Sequence, residues 1–382
     1  MFSSCCKAES GGEMKLTKTF GTAEEDVEWE EEDEEEEWEW EDDTDELHYH
    51  VLVPQVVQDP KCVELMNNLL AYARQQVQEN INDIVSNLKQ LSDAKAVGPL
   101  LEIDLLWPGS GYNAVACGGN YEVLCLLEKQ GIVKVGDICG ASGGACSALL
   151  ALADPEGSRK LLFSYMVYAK WAEKSWDPQI WRAATIWQAV YRHAIEDDAA
   201  FERVRSRAYC ACASGMTWKN VVMHQFDSRE QIVTAFEATG EASIFGTIRG
   251  HYVDNASDEI GRCADLGNVA PFPGRKRKML YYHTFYGYAL KCTLESIELL
   301  FKKGVDETVL LMKSKDLRVP SASIYSKGME LALNGEGGMF VVSGEEANKQ
   351  PQKTLIRPSA TFFNVHSGAK ALHPPKTEQD LV

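Results

Sequence analysis

Basic residues are absent between Glu24 and Glu46, a window that holds 18 of the chain's 57 acids. The rest carries 39 acids against 38 bases, so the formal net charge of −19 belongs to one segment and the body is close to neutral. A neutral body without a basic stripe lacks the electrostatic footprint of a nucleic-acid binder, and no nucleic-acid partner is expected. Long apolar runs are missing too. The longest uncharged stretch near the centre, between Asp137 and Asp154, is 16 residues rich in Gly, Ala and Ser. That is too short to span a bilayer and reads as a buried turn and helix. The first residues have no basic region followed by an apolar one, so no signal peptide is read there. Eleven cysteines, odd in number and without framework spacing, predict reduced thiols in an intracellular, cytoplasmic protein.

What the chain does have is 45% apolar residues in 382, enough for a sizeable core and too many for wholesale disorder. Residues 1–47 read as a disordered acidic tail whose like charges repel. The tail is either a solvated segment or one that binds a protein partner, with Trp29, Trp38 and Trp40 as anchors. Within the helical region 48–99, residues 59–92 predict one long helix, with Asp59 as N-cap and Pro60 in the first turn. Val63, Met66, Leu70, Ala73, Val77, Ile81, Ile84 and Leu88 recur at three- and four-residue steps, one stripe that packs on the domain or pairs with its like.

From residue 100 strands and helices alternate. Strands are expected over 100–107, 133–139, 207–213, 220–224 and 251–254, and helices over 120–130, 140–152, 161–193 and 228–238. A helix over 288–303, closed by Gly304, and a strand over 308–312 follow. This alternation implies an α/β fold with a mainly parallel sheet covered on both faces. Residues 316–382, rich in Gly, Pro, Ser and Lys, read as a weakly ordered C-terminal appendage.

The chemistry centres on Gly140-Ala141-Ser142-Gly143-Gly144, the one Gly-x-Ser-x-Gly match in the chain. It follows an apolar strand and opens a helix, the context of a nucleophile elbow. So tight a turn needs neighbours without bulk, hence Gly140 and Gly144, and it lifts Ser142 to a helix N-terminus that favours developing negative charge. A serine hydroxyl needs a base, yet none of the eight histidines stands out as one. Upstream, Pro108-Gly109-Ser110-Gly111-Tyr112-Asn113-Ala114 follows the first strand. Such a turn presents backbone N–H groups to an anion, either as a phosphate cradle or as an oxyanion hole. The elbow about thirty residues on favours the second, and the absence of a Gly-Lys-Ser/Thr ending removes a P-loop.

These blocks resemble a patatin-like phospholipase (patatin-like acyl hydrolase) domain. The resemblance runs through Gly109 to Ala114, Tyr121 to Ile132, Gly140 to Gly144, Phe226 to Glu230 and Ala238 to Ser243, and covers about residues 100–310. Tyr252-Val253-Asp254-Asn255-Ala256 is similar to the family's Asp-Gly-Gly/Ala motif. Three positions depart from the family pattern. Asn113 stands where a basic residue is usual, and Ala114 and Asn255 stand where Gly is usual. The resemblance implies a three-layer fold, a hydrolase domain over 100–315, and a Ser–Asp dyad of Ser142 as nucleophile and Asp254 as general base. It places the oxyanion at the amides of Gly109, Ser110 and Gly111, with no metal or cofactor. It also implies a glycerolipid substrate, phospholipid or triacylglycerol, met at a membrane or lipid-droplet surface. Transfer of the acyl group to an alcohol would use the same machinery. A catalytically weak lipid-binding protein is the rival, motivated by Asn113 and Asn255.

Two further features carry paired readings. Trp171, Trp176, Trp181 and Trp187 are either core aromatics or the lining of an acyl-chain cleft. Gly274-Arg275-Lys276-Arg277-Lys278 is either an exposed loop or a contact for anionic head groups.

Overall fold

A computed structural model describes residues 53–91, 98–107, 109–174, 183–214, 220–240, 252–253, 277–282, 292–313, 338–343 and 355–356. The chain divides into units over Met1–Glu41 and Asp42–Val382, and every described residue belongs to the second. The acidic tail, Trp176, Trp181, Asp254 and Asn255 lie outside the described residues.

Helix α1 (Pro60–Leu91) opens the body. The Asp59 carboxylate accepts the Lys61 N–H at 2.9 Å, the cap that satisfies one of the first-turn amides. Its apolar stripe buries Leu69, Leu70, Ala73, Val77, Ile84 and Leu88 in the core. Full burial of an aliphatic side chain is worth about 1.5–3 kcal/mol, so this face docks the helix on the domain. Polar contacts to the last helix, α8 (Leu294–Lys313), fix the register. Asn87 Nδ2 donates to the Met312 carbonyl at 2.8 Å, and the Tyr72 hydroxyl donates to Asp306 at 2.6 Å.

Next come β1 (Leu101–Trp107), a 3-10 turn (Gly111–Ala114), α2 (Val115–Lys129), β2 (Val133–Ala141) and α3 (Gly143–Ala153). Helices α4 (Arg159–Lys174), α5 (Ala183–Ala194) and α6 (Asp198–Arg207) follow, then β3 (Ala208–Ser214), β4 (Asn220–Met223) and α7 (Arg229–Gly240). The remaining strands are β5 (Tyr252–Val253), β6 (Arg277–Tyr282), β7 (Gly338–Ser343) and β8 (Leu355–Ile356). The sheet order is β7-β6-β1-β2-β3-β4-β8, with β5 beside β3.

The fold is α/β, as expected, but the sheet is mixed. Its centre, β6-β1-β2-β3, is parallel, whereas β4 and β5 run antiparallel to β3, and β7 to β6. The reason at β3–β4 is chain length: residues 215–219 are too few for a crossover, so the strand must return beside its neighbour. At β1 the ladder slips between Ile103 and Leu105, and the side chain of Asp104 takes over a ladder contact by accepting the Asp137 N–H at 2.9 Å.

The C-terminal third departs from expectation. Gly304 does not end a helix, and Thr308–Met312 is not a strand; both lie inside the continuous α8. A Cβ at Gly304 would strike the Ala116 carbonyl, and one at Gly119 would strike the Phe301 carbonyl, so these glycines let α2 and α8 cross backbone to backbone. Thr308 belongs to that crossing. It donates to the Gly304 carbonyl at 2.6 Å and accepts from Asn120 at 3.0 Å, while Asn120 accepts from the Trp107 indole at 3.2 Å. Two segments of the presumed appendage, β7 and β8, pair into the sheet. Arg277 and Lys278, read as an exposed loop or a head-group contact, are strand residues of β6 paired with β7.

Cys62, Cys117, Cys125, Cys139, Cys146, Cys210 and Cys292 are buried and form no disulfide. Among the described residues no helix is long and apolar enough to cross a membrane.

Candidate active site

Strands β1 and β2 run parallel with Trp107 opposite Gly140, so they leave the sheet side by side at their carboxyl ends. The glycine turn after β1 and the elbow after β2, about thirty residues apart in the chain, therefore emerge together. Ligands of open α/β sheets bind outside such strand ends.

Ser142 stands between β2 and α3 with φ 50° and ψ −131°. A positive φ is rare for a residue with a Cβ, and a backbone held there costs on the order of 1–3 kcal/mol. Three hydrogen bonds hold it. On the helix side, the Ser142 carbonyl accepts from the N–H of Ala145 and of Cys146. On the other side, the Ser142 N–H donates to Thr239 Oγ1 at 3.0 Å, and the Thr239 hydroxyl donates to the Ala211 carbonyl of β3.

The glycines around Ser142 have distinct tasks. A Cβ at Gly140 would collide with the Ala145 backbone, so this position lets the first turn of α3 fold back over β2. A Cβ at Gly143 would collide with the Gly111 carbonyl, so this position lets the elbow and the glycine turn touch. Sequence reasoning assigned the need for small residues to 140 and 144 and missed 143. A contact that depends on a segment thirty residues away leaves no local signal.

Gly111 takes φ +56° and opens the 3-10 turn. The turn is tied to α3 by the Ser147 hydroxyl, which donates to the Ala114 carbonyl at 3.0 Å. It is tied to α4 by the Tyr112 ring, 4.7 Å from that of Tyr168. Gly109, Ser110 and Gly111 thus lie in a turn docked on the elbow. Within it, Asn113 is fully buried, and neither its amide oxygen nor its amide nitrogen has a hydrogen-bond partner among the described residues. The buried Ser110 hydroxyl is likewise without one. Buried polar groups are paired as a rule, and each unpaired one costs about 1–3 kcal/mol. Sequence reasoning noted Asn113 only as a departure from a basic residue and did not foresee that it would be unpaired.

Beside the elbow lies an aromatic pack. Tyr168 stacks on Trp187 with centroids 5.3 Å apart, Trp187 on Tyr191 at 5.7 Å, and Tyr168 meets Trp171 at 5.5 Å. Trp171 and Trp187 are buried in this pack, which supports the core reading for those two. The Tyr191 hydroxyl donates to the Cys146 sulfur at 2.5 Å, one turn beyond Ser142. Burial pushes the phenols of Tyr112, Tyr165 and Tyr191 well above their ordinary range, so all three are neutral donors at neutral pH.

Of the candidate histidines, two are described. His193 pairs with Glu196 at 3.4 Å, and the buried His224 stacks on Tyr209 at 4.9 Å. Asp254 lies outside the described residues, but its neighbour Val253 does not. Val253 pairs with Ala213 of β3, and Ala213 also pairs with Asn220 of β4. Strand β5 therefore occupies the opposite edge of β3 from β4, the edge that β2 uses. There Ala141 pairs with Ala211. Val253 is thus two β3 positions past the last residue before Ser142, about 7 Å along the strand. Because β5 runs antiparallel to β3, its direction from Tyr252 to Val253 is towards the elbow.

No protein-family model matches the chain, and no curated protein matches it. Among solved structures, VipD from Legionella pneumophila is similar at 11% identity and a TM-score of 0.22, over 41% of this chain and 46% of VipD. The match thus spans less than half of VipD.

Proposed function

We propose that the chain is a serine ester hydrolase of glycerolipids, acting through an acyl-Ser142 intermediate with Asp254 as the general base. The observation that carries this reading is the backbone of Ser142: a non-glycine residue at φ 50° between a parallel strand and a helix, with a glycine turn against it. Strain of this kind persists where the surrounding structure over-determines it, and it lifts a hydroxyl clear of its neighbours. The direction of β5, which leads towards the elbow just before Asp254, supports the choice of base.

In this mechanism the Ser142 oxygen attacks the ester carbonyl carbon while its proton passes to the Asp254 carboxylate. The new C–O bond creates a tetrahedral oxyanion beside the turn of Gly109, Ser110 and Gly111. Collapse expels the alcohol, which takes the proton from Asp254. Water then repeats the sequence on the acyl-serine and releases the fatty acid. The substrate is drawn from a membrane or lipid-droplet surface, and an alcohol in place of water gives acyl transfer.

The test is hydrolysis of a short-chain p-nitrophenyl ester by wild type and Asp254→Asn, with folding checked by circular dichroism. The expected result is turnover in wild type and its loss in a folded variant. Retained turnover in Asp254→Asn removes Asp254 from its role. Absence of turnover in well-folded wild type favours the lipid-binding rival.

A further inference from the structure

The β2–β3 ladder ends at Ala141 opposite Ala211. If β2 continued straight, the next N–H, that of Ser142, would seek a carbonyl of β3. It turns away instead, and the Thr239 hydroxyl is spliced into the gap: it accepts from the Ser142 N–H and donates to the Ala211 carbonyl. Thr239 is fully buried at the end of α7. A helical threonine commonly returns its hydroxyl to its own helix, three or four residues back. This one donates across the fold to a residue 28 positions earlier and accepts from one 97 positions earlier.

We infer that Thr239 is a positioning residue for Ser142, an inference that rests on the hydrolase reading. By standing in for a strand partner, its hydroxyl holds the elbow at positive φ and fixes where the Ser142 oxygen sits. It also occupies the Ser142 amide. The Gly143 N–H, the first of α3 and without an acceptor inside the helix, is then the elbow's own donor towards an oxyanion. The Ala238-Thr239-Gly240 block therefore serves the nucleophile from a separate helix.

The experiment uses the full chain with Thr239→Val, Thr239→Ala and Thr239→Ser, measuring kcat and KM on a soluble p-nitrophenyl ester and deuterium exchange in peptides spanning Ser142. The Ala variant removes the hydroxyl without a second methyl, in case Val fails to fold. The Val and Ala variants are expected to lose about 10- to 100-fold in kcat, because small displacements of a reacting atom cost that much. Their KM is expected to stay within about twofold and their elbow peptides to exchange faster, while Thr239→Ser restores both towards wild type. A folded Val or Ala variant with wild-type kcat overturns the inference while leaving the hydrolase reading intact. A Ser variant as impaired as Val overturns it too, since packing rather than the hydroxyl then matters. Wild type without turnover overturns the hydrolase reading and the positioning role with it, whatever the exchange shows.

Discussion

Replacing Ser142 by glycine should make the protein more stable while abolishing the proposed ester hydrolysis. At φ 50° and ψ −131° the serine backbone carries strain on the order of 1–3 kcal/mol, which glycine, lacking a Cβ, does not feel. Against this, glycine loses more chain entropy on folding, about 0.5–1 kcal/mol. The net gain is about 0–2.5 kcal/mol, centred near 1 kcal/mol. One kcal/mol moves the midpoint of a 150–250-residue domain by about 2–4 °C, so Ser142→Gly should melt about 2–4 °C above wild type at the central gain and up to about 10 °C at the largest. Ser142→Ala is the control. It removes the same hydroxyl but keeps the Cβ, so the strain remains and its stability should stay within about 0.5 kcal/mol of wild type. Thr239 contacts the backbone of residue 142 and is unaffected in either variant. The assay is urea and thermal unfolding of all three proteins by circular dichroism. If Ser142→Gly is no more stable than Ser142→Ala, the elbow is not strained and the reasoning fails.

Two further changes probe the site and its support. Asn113→Leu replaces a buried amide whose polar atoms lack partners among the described residues, so stability in urea unfolding should hold or rise by up to about 1–3 kcal/mol. A marked loss of stability would show that the amide is satisfied within the fold. Gly304→Ala places a methyl group against the Ala116 carbonyl. Overpacking of about 1–3 kcal/mol should outweigh the gain of about 1 kcal/mol in helix propensity, lowering the urea midpoint. A more stable variant would contradict the close crossing of α2 and α8.

How far the molecule was legible in its sequence follows from the range of the forces involved. Helix α1, the strands around Ser142 and the α3 turn announce themselves through periodicity and local punctuation, and each forms near its expected place. Gly304 misleads because glycine has two uses. The sequence shows the residue, but only the packed neighbour tells whether it ends a helix or lets one approach another. Residues 308–312 stay helical for the same reason, since Thr308 is held by Asn120, far away in the chain. Strands β7 and β8 escape notice because edge segments of six and two residues lack a period long enough to see. At the candidate site, the Ser142 turn and the glycine turn are visible as motifs. The roles of Gly143 and Thr239 are not, for both depend on tertiary contacts. A buried threonine in a helix reads as an ordinary apolar-face residue until its partners are known.

The most direct measurement is a map of covalent labelling. Full-length protein is treated with a fluorophosphonate, digested, and the adduct located by peptide mass spectrometry. The account predicts one modified site, Ser142, with no labelling in a folded Ser142→Ala variant. An adduct on another serine, labelling that persists in Ser142→Ala, or no adduct on well-folded wild type would contradict it.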